Sequence, residues 1–390
     1  MHKHISQSIL TDLLKWEGQT CLSLYMPMER SFPDREQNPV RFKNLLRLLN
    51  EQLGDDANAQ SRQLMPQFEA LLNDAELWNK PRGGLAVLAG GDQFRVFVLH
   101  QSVPEQVRVD RQPYLQPLLR ISQTDGHFQL LSLTRDKVRL FEGNQDSLEE
   151  VELHEAVPRN LEQALGSELT PKDQSGHPGG FSNAAERSAG MTMHEAGGGG
   201  KQAEIDIDRE RYFRAVDRAI SEHHSRGMPL ILAALPRNQA AFRAVSHNQQ
   251  LLAEGVALDP ALLDVATLRQ HCDEIMTRRY NAWLDGLLER FGAAQGAGLA
   301  CQDLNEIGQG AVAGRVSLLL IESGRKVPGV VNSTSGAVDL YPDEEGSAVE
   351  NGADVLDQLI PQALRNGAEV VVVSPGVMPT EAGAAAVFRF

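Results

Sequence analysis

Gly197-Gly198-Gly199-Gly200-Lys201-Gln202, followed closely by Tyr212-Phe213-Arg214-Ala215-Val216-Asp217, is the stretch on which the reading of this chain turns. Glycine has no Cβ and lets the backbone enter crowded or left-handed geometries closed to other residues. The glycine-rich segment runs from Gly166 to Gln202. That is far beyond the roughly 12 to 15 residues of most structureless connections, and longer ones are usually functional or disordered. Composition alone also fits a disordered insertion. The residues after the glycines predict an amphipathic helix over 206–224, with Tyr212, Phe213, Val216, Ala219 and Ile220 on one face. Arg211, Arg214 and Arg218 recur on the opposite side. Such a stripe is either a plain solvated face or a handle for phosphate, because guanidinium forks engage phosphate oxygens bidentately.

Upstream of the glycines, Phe128–Leu133, Val138–Phe141 and Leu148–Leu153 read as three successive strands, with turns at Arg135-Asp136 and Glu142-Gly143-Asn144. Downstream, Pro229–Leu235 is an apolar run of central-strand character, and a helix over 238–246 and a strand near 250–257 complete a β-β-β-α-β-α-β order. That order predicts a mixed sheet with helices packed on it. It defines a middle domain over 123–260.

The first domain, 1–122, reads as a compact α/β unit. A helix over 6–16 leads to strand Thr20–Met26, and Asn38-Pro39 opens a helix with Phe42, Leu45, Leu46 and Leu49 on one stripe. A second helix is expected over 60–77, then a hairpin of Leu85–Ala89 and Phe94–Leu99 turning at Gly90-Gly91-Asp92. The third domain, 261–390, reads as a C-terminal αβα sandwich. Two long helices burying Trp283 and Leu287, strands Arg315–Ile321 and Glu369–Ser374, and helix Ala353–Arg365 compose it, with Gly314 and Gly367 at helix C-caps. The expected fold class is α/β in three domains.

The 390 residues are 42% hydrophobic and 23% charged, which is globular composition. No run approaches the roughly 18 uninterrupted apolar residues of a spanning helix, so a cytoplasmic protein with no membrane partner is expected. A formal net charge of −15 argues against a generally basic nucleic-acid surface and confines any RNA contact to one face. Cys21, Cys272 and Cys301 are odd in number and far apart, which leaves neither a disulfide framework nor a metal knuckle. No cofactor and no metal are expected.

Gly308-Gln309-Gly310 with Gly314 superficially resembles a dinucleotide fingerprint, but a strand follows these glycines instead of preceding them, so caps and turns are the expected roles. No phosphate-binding P-loop is present, since Gly200-Lys201 continues with Gln202. Asp136, Glu142, Asp206 and Asp208 are the carboxylates from which a metal-dependent nuclease could be built. Asp206 and Asp208 more simply read as N-terminal capping residues.

Taken in order, the three-strand meander, the loop ending Gly199-Gly200-Lys201-Gln202, the helix through Tyr212–Asp217 and the strand Leu230–Leu235 resemble the middle domain of the bacterial archaeo-eukaryotic release factor family, relatives of the class 1 release factor and Pelota. The closing Gly383-Ala384-Ala385-Ala386-Val387-Phe388-Arg389-Phe390 is similar to the tail of that family's third domain. Ser23-Leu24-Tyr25-Met26-Pro27 and Gln37–Leu46 resemble its bacterial branch.

The resemblance implies a ribonuclease-H-like middle domain, a ribosomal partner engaged through rRNA and tRNA, and a C-terminal domain that serves protein partners. It also implies a Gly-Gly-Gln tip that helps water attack the ester of peptidyl-tRNA. Carried onto this chain, Gly199, Gly200 and Gln202 are the catalytic candidates, with Lys201, Arg211, Arg214, Arg218, Arg41 and Lys43 as RNA-binding candidates and Arg30 beside them. Lys201 departs from the pattern. It moves the glutamine one residue, about 3.3 Å along an extended chain. Pelota-like proteins lack the tip, so a non-catalytic ribosome- or protein-binding adaptor stands as the alternative.

Overall fold

The structure is a computed structural model that describes residues 7–390 apart from 17–19, 30, 55–58, 80–82, 125, 135–136, 146, 167–198, 226 and 342–353. The chain divides into two compact units, one formed by residues 1–125 with 280–390 and the other by residues 126–279.

The first unit begins with α1 (Gln7–Leu13), β1 (Cys21–Pro27) and α2 (Asn38–Leu53). Next come α3 (Ala59–Ala70), α4 (Ala75–Asn79), β2 (Gly84–Gly90), β3 (Gln93–Leu99), β4 (Gln106–Asp110) and α5 (Gln116–Thr124). The expected single helix over 60–77 is therefore divided. Asp74 interrupts it in extended geometry and its carboxylate accepts from the N–H groups of Glu76 and Leu77, starting α4 afresh. The strands form an antiparallel sheet in the order β3-β2-β1-β4. Gly90 pairs with Gln93 across a two-residue turn, and Gly91 has the positive φ of 61° that such a turn demands. Alternation along β1 sends Leu22, Leu24 and Met26 toward α2 and α3, where they meet Phe42, Leu45, Leu46, Leu49 and Phe68. Tyr25, Ala86 and Leu88 face the other way, against α1 and α5.

In the second unit β5 (Phe128–Leu133), β6 (Val138–Gly143) and β7 (Leu148–Val151) form the expected meander. Short helix α6 (Leu161–Leu165) and long helix α7 (Gly199–His223) precede β8 (Leu230–Ala233), α8 (Pro236–Val245) and β9 (Leu251–Val256). The sheet order is β7-β6-β5-β8-β9, antiparallel through β5 and parallel from β5 to β9, which is the mixed sheet the pattern predicts. One face packs Leu131, Leu140 and Leu232 against Tyr212, Phe213, Val216, Ile220 and Phe242 of α7 and α8. Each large side chain buried there contributes roughly 1.5–3 kcal/mol. The other face, with Phe128, Leu130 and Ile231, is covered by Leu268, Cys272 and Ile275 of α9 (Val265–Gly296).

The two long helices expected after residue 261 are this one 32-residue helix, whose residues from Tyr280 onward count with the first unit. Leu287 is buried as expected, but Trp283 is 37% exposed and lies beside Tyr280 at a ring separation of 5.6 Å. The first unit continues with β10 (Ala300–Cys301), α10 (Leu304–Val312), β11 (Val316–Glu322), β12 (Gly329–Val331), β13 (Val338–Leu340), α11 (Val355–Arg365), β14 (Glu369–Val373) and β15 (Ala384–Phe388). β10-β15-β11-β14 form a mixed sheet, and β12 and β13 a separate ribbon. Leu318, Leu320, Val371 and Ala385 pack on Leu284, Leu287 and Phe291 of α9, while Leu319, Ile321, Val370 and Val372 face Ile307, Leu356, Leu359 and Ile360 of α10 and α11. Helices thus cover both faces.

Gly314 and Gly367 do cap helices. After α10, Gly314 N–H bonds Ala311 O at 3.2 Å and Arg315 N–H bonds Gly310 O at 2.8 Å. After α11, Gly367 N–H reaches Leu364 O at 3.1 Å and Ala368 N–H reaches Ala363 O at 2.9 Å. Both are Schellman endings at φ of 69° and 73°. Gly308 and Gly310 are neither caps nor turns. They lie inside α10, where a Cβ on Gly308 would come 2.2 Å from Gly336 O and one on Gly310 2.5 Å from the Phe388 ring.

Residues 1–125 and 280–390 share one hydrophobic core, in which Leu10, Leu118 and Leu119 join Leu356, Leu359 and Val370. Polar bonds cross the same contact. Gln123 Nε2 donates to Val370 O at 2.6 Å and its Oε1 accepts from Val372 N–H at 3.0 Å. Arg108 meets Asp357 at 3.3 Å. The three cysteines are buried and free, and burial pushes the thiols of Cys21 and Cys272 up to about 12 and that of Cys301 up to about 11. Thiols so raised are poor nucleophiles.

Candidate nucleic-acid interface

Helix α7 organises the site. Its apolar stripe is as the sequence predicts, with Tyr212, Phe213, Val216, Ala219 and Ile220 all buried. The helix starts at Gly199 and not near 206, so Gly199, Gly200, Lys201 and Gln202 form its first turn. In a helix the first four amide N–H groups have no intrahelical acceptor and carry the positive end of the helix dipole. The preceding part of the glycine-rich segment, including Gly197 and Gly198, lies outside the described residues, as do Arg30 and Asp136.

The earlier helix start changes the reading of Asp206 and Asp208, which sit two turns inside the helix and do not cap it. Asp206 Oδ1 is held by Arg209 at 3.0 Å and by Arg237 at 2.7 Å, tying α7 to the start of α8. Asp208 is buried. Asp217 is also a fold residue: its carboxylate accepts from Ser246 Oγ at 2.5 Å and His247 N–H at 2.9 Å, closing the end of α8. Glu142 accepts from Gln129 Nε2 at 3.0 Å across the meander. Among the described residues no group of three His, Cys, Asp or Glu side chains is placed to hold a metal ion.

Arg211, Arg214 and Arg218 are exposed along α7. Arg214 pairs with Glu210 at 3.4 Å, one turn earlier, a surface contact worth only a few tenths of a kcal/mol and readily exchanged for a phosphate. In the other unit Lys43 is exposed on α2, whereas Arg41 is engaged. Arg41 Nε lies 2.8 Å from Glu105, and Nη1 donates to Pro27 O at 3.3 Å and stands 4.0 Å from Glu29. Asn38 fixes the same loop by exchanging bonds of 3.0 and 2.9 Å with the backbone of Glu29.

Sequence reasoning missed Arg159 and Lys137. Arg159 lies between Pro158 and Asn160, which reads as turn composition, and no periodicity marks it. Its backbone is locked: N–H donates to Gln163 Oε1 at 2.8 Å and C=O accepts from Val138 N–H at 2.9 Å. Its side chain borders two open clefts, one of about 510 Å³ with Gln163, Ala164 and Ala215, the other of about 340 Å³ with Lys137 and Glu150. At the far end of α7, the rings of His154 and His223 stack at 3.9 Å and His224 Nε2 accepts from His154 N–H at 3.0 Å.

No curated protein matches the sequence. Among solved structures, the archaeal translation termination factor aRF1 is 16% identical, covers 98% of this chain and 96% of its own, and has a TM-score of 0.23. Dom34 of S. cerevisiae is 11% identical, covers 77% of this chain and 74% of its own, and has a TM-score of 0.38. Pelota of Archaeoglobus fulgidus is 13% identical over 78% of this chain and 79% of its own, with a TM-score of 0.31. No helix among the described residues is long and apolar enough to cross a membrane. The model of bacterial archaeo-eukaryotic release factor family 3 matches residues 127–315, a span that takes in the meander, α7 and the parallel strands.

Proposed function

We propose that the protein is a ribosome-associated release or rescue factor that promotes hydrolysis of the peptidyl-tRNA ester in stalled translation. The match to the release factor family model over residues 127–315 carries this reading, because that span contains both the Gly199–Gln202 stretch and the arginines of α7. In the reaction, water attacks the ester carbonyl carbon, the bond to the tRNA 3′ oxygen breaks, and that oxygen leaves with a proton. Gly199 and Gly200 allow close backbone approach, Gln202 orients the water, and the amides of the first helical turn, which have no acceptor within the helix, support the developing oxyanion. The ribosome supplies the remaining catalysis. Lys201, Arg211, Arg214, Arg218 and Lys43 hold rRNA or tRNA phosphate, Arg41 braces the Pro27–Glu29 segment of the first unit, and residues 261–390 offer a surface to a protein partner.

A second reading is favoured by one observation. Lys201 separates Gly200 from Gln202, and in a helix one extra residue rotates the glutamine by about 100° as well as advancing it about 1.5 Å. On that account the protein is an adaptor that binds the ribosome and releases no peptide. Purified ribosomes carrying a labelled nascent chain separate the two. The hydrolytic reading expects release by the wild type and a loss on the order of 10² with Gln202→Ala. Equal release by both removes the role of Gln202, and binding without release establishes the adaptor.

A further inference from the structure

We infer that Arg159, at the meeting point of the two clefts beside α7, is an RNA-phosphate site that extends the arginine stripe of the helix onto the neighbouring sheet edge; this rests on the ribosomal reading above. Three observations converge on it. The guanidinium of Arg159 is exposed and has no hydrogen bond or ion pair among the described residues, while its backbone is held at both ends by Gln163 and Val138. A long cation on a pinned backbone is placed for a partner from outside. It presents five N–H donors in a rigid fork to planar or tetrahedral oxyanions.

The clefts leave room for that partner. Ala164 and Ala215 are the facing residues of α6 and α7, and their short side chains keep the 510 Å³ cleft open between the helices. Arg211 and Arg218, four residues before and three after Ala215, share its side of α7. They stand about 10 Å apart along the axis. A strand passing over α7 can therefore place successive phosphates on these arginines and on Arg159.

Charge selects phosphate without making the surface broadly basic. In the second cleft Glu150 is occupied by Arg139 through bonds of 3.0 and 2.7 Å, and that hydrogen bond holds its carboxyl below the usual range. Lys137 in the same cleft is pinned through its backbone by Thr134, while its ammonium makes no hydrogen bond among the described residues. Glu155 lines the first cleft and Glu152 the second, both exposed, and they oppose any diffuse attraction of anions. The grip is thus local, one fork to one phosphate, in keeping with a chain of net charge −15.

Co-sedimentation with 70S ribosomes over a series of KCl concentrations tests the site. Arg159→Ala is expected to weaken binding about tenfold and to reduce the slope of log affinity against log salt by roughly 0.7 to 0.9, the value of one lost phosphate contact. Arg159→Lys should keep most of the slope but only part of the affinity, because it retains the charge and loses the fork. Lys137→Gln, in the second cleft, should reduce the slope independently. Wild-type binding with an unchanged Arg159→Ala overturns the site and leaves the ribosomal reading standing. Weaker binding at an unchanged slope also overturns it, since it marks a protein contact. Failure of the wild type to sediment removes the ribosomal reading, and the site with it.

Discussion

Arg108 Nη2 on β4 lies 3.3 Å from Asp357 Oδ2 on α11, joining the N-terminal and C-terminal segments of the first unit in a place almost closed to water. Asp357 is not relieved by that cation. Burial first, and the neighbouring Asp354 carboxylate second, push its carboxyl up to about 8 against the opposing pull of Arg108. Burial likewise raises Asp354 and Asp110. A carboxyl whose folded pKa stands above its unfolded value of about 4 binds more protons when folded, so it stabilises fully at low pH and loses that contribution as pH rises toward 8. Urea midpoints should therefore fall between pH 5 and pH 8, and Asp357→Asn should flatten the profile. A profile that rises over this window contradicts the assignment.

Removing the cation is the harsher change. Arg108→Met leaves up to three carboxylates without their shared counter-charge in a site of low polarity, and breaking a buried pair from one side typically costs about 3–5 kcal/mol. The loss should be largest at pH 8 and shrink toward pH 5, where the carboxyls take up protons. Equal destabilisation at both values would show that the packing of the long side chain, and not its charge, is what matters.

What the sequence disclosed and what it hid both stem from the range of the forces involved. The stripe of α7 and the meander were legible because period 3.6 and turn residues such as Glu142-Gly143-Asn144 are local signals. The first turn of α7 was hidden because glycine is a poor helix former, and propensity argues against Gly199-Gly200 where the helix begins. β4 alternates Val107 and Val109 with Gln106, Arg108 and Asp110, but it is too short to stand out until it pairs with β1. The Arg159 clefts depend on α6 and α7 coming together across the long glycine-rich segment, and no local pattern reports that. The tail was visible only as a family-like motif, although it forms the inner strand β15 between β10 and β11.

That tail also fastens two helices. Arg389 Nη2 donates to Gly367 O at 2.8 Å and Asn366 O at 3.4 Å, and Nη1 donates to Gly314 O, so one guanidinium serves the C-terminal carbonyls of both α10 and α11. Cations at helix C-termini are favourable, and bonds to a charged donor exceed neutral ones. Arg389→Ala should cost about 1–2 kcal/mol in chemical unfolding, and Arg389→Lys should recover less than half, because a single ammonium cannot span both caps. Full recovery by lysine would mean that charge alone sufficed.

Gln123 covers a sheet edge. β14 is the last strand of its sheet, and the amide of Gln123 pairs with Val370 O and Val372 N–H as another strand would. Unpaired edge groups are templates for association between chains. Gln123→Ala should lower stability by about 1–3 kcal/mol, the penalty for stranding buried backbone groups, and should promote self-association on concentration. Gln123→Glu keeps the shape but sets a carboxylate against Val370 O, and it should be at least as damaging. Light scattering alongside thermal melting separates the two effects; a monomeric, fully stable Gln123→Ala would show that the edge needs no cover.

Gly308 tests the tightest packing in the C-terminal segment. On α10 it faces Gly336, whose own φ of 75° is reserved for glycine, and the backbone of one residue sits where the other would carry a Cβ. Gly308→Ala would set a methyl 2.2 Å from Gly336 O, and because the obstacle is backbone it cannot turn aside as a side chain would. Displacing the 332–337 turn also strains the bond that Val338 N–H donates to Asn305 Oδ1, at 3.0 Å, and so the ribbon of β12 and β13. A loss of about 1–3 kcal/mol is expected. Gly286→Ala on α9, with open space around it, provides the comparison and should gain up to about 1 kcal/mol from helix propensity alone. Should both substitutions move the unfolding midpoint in the same direction, the close approach of Gly308 and Gly336 would not be a constraint on the folded state.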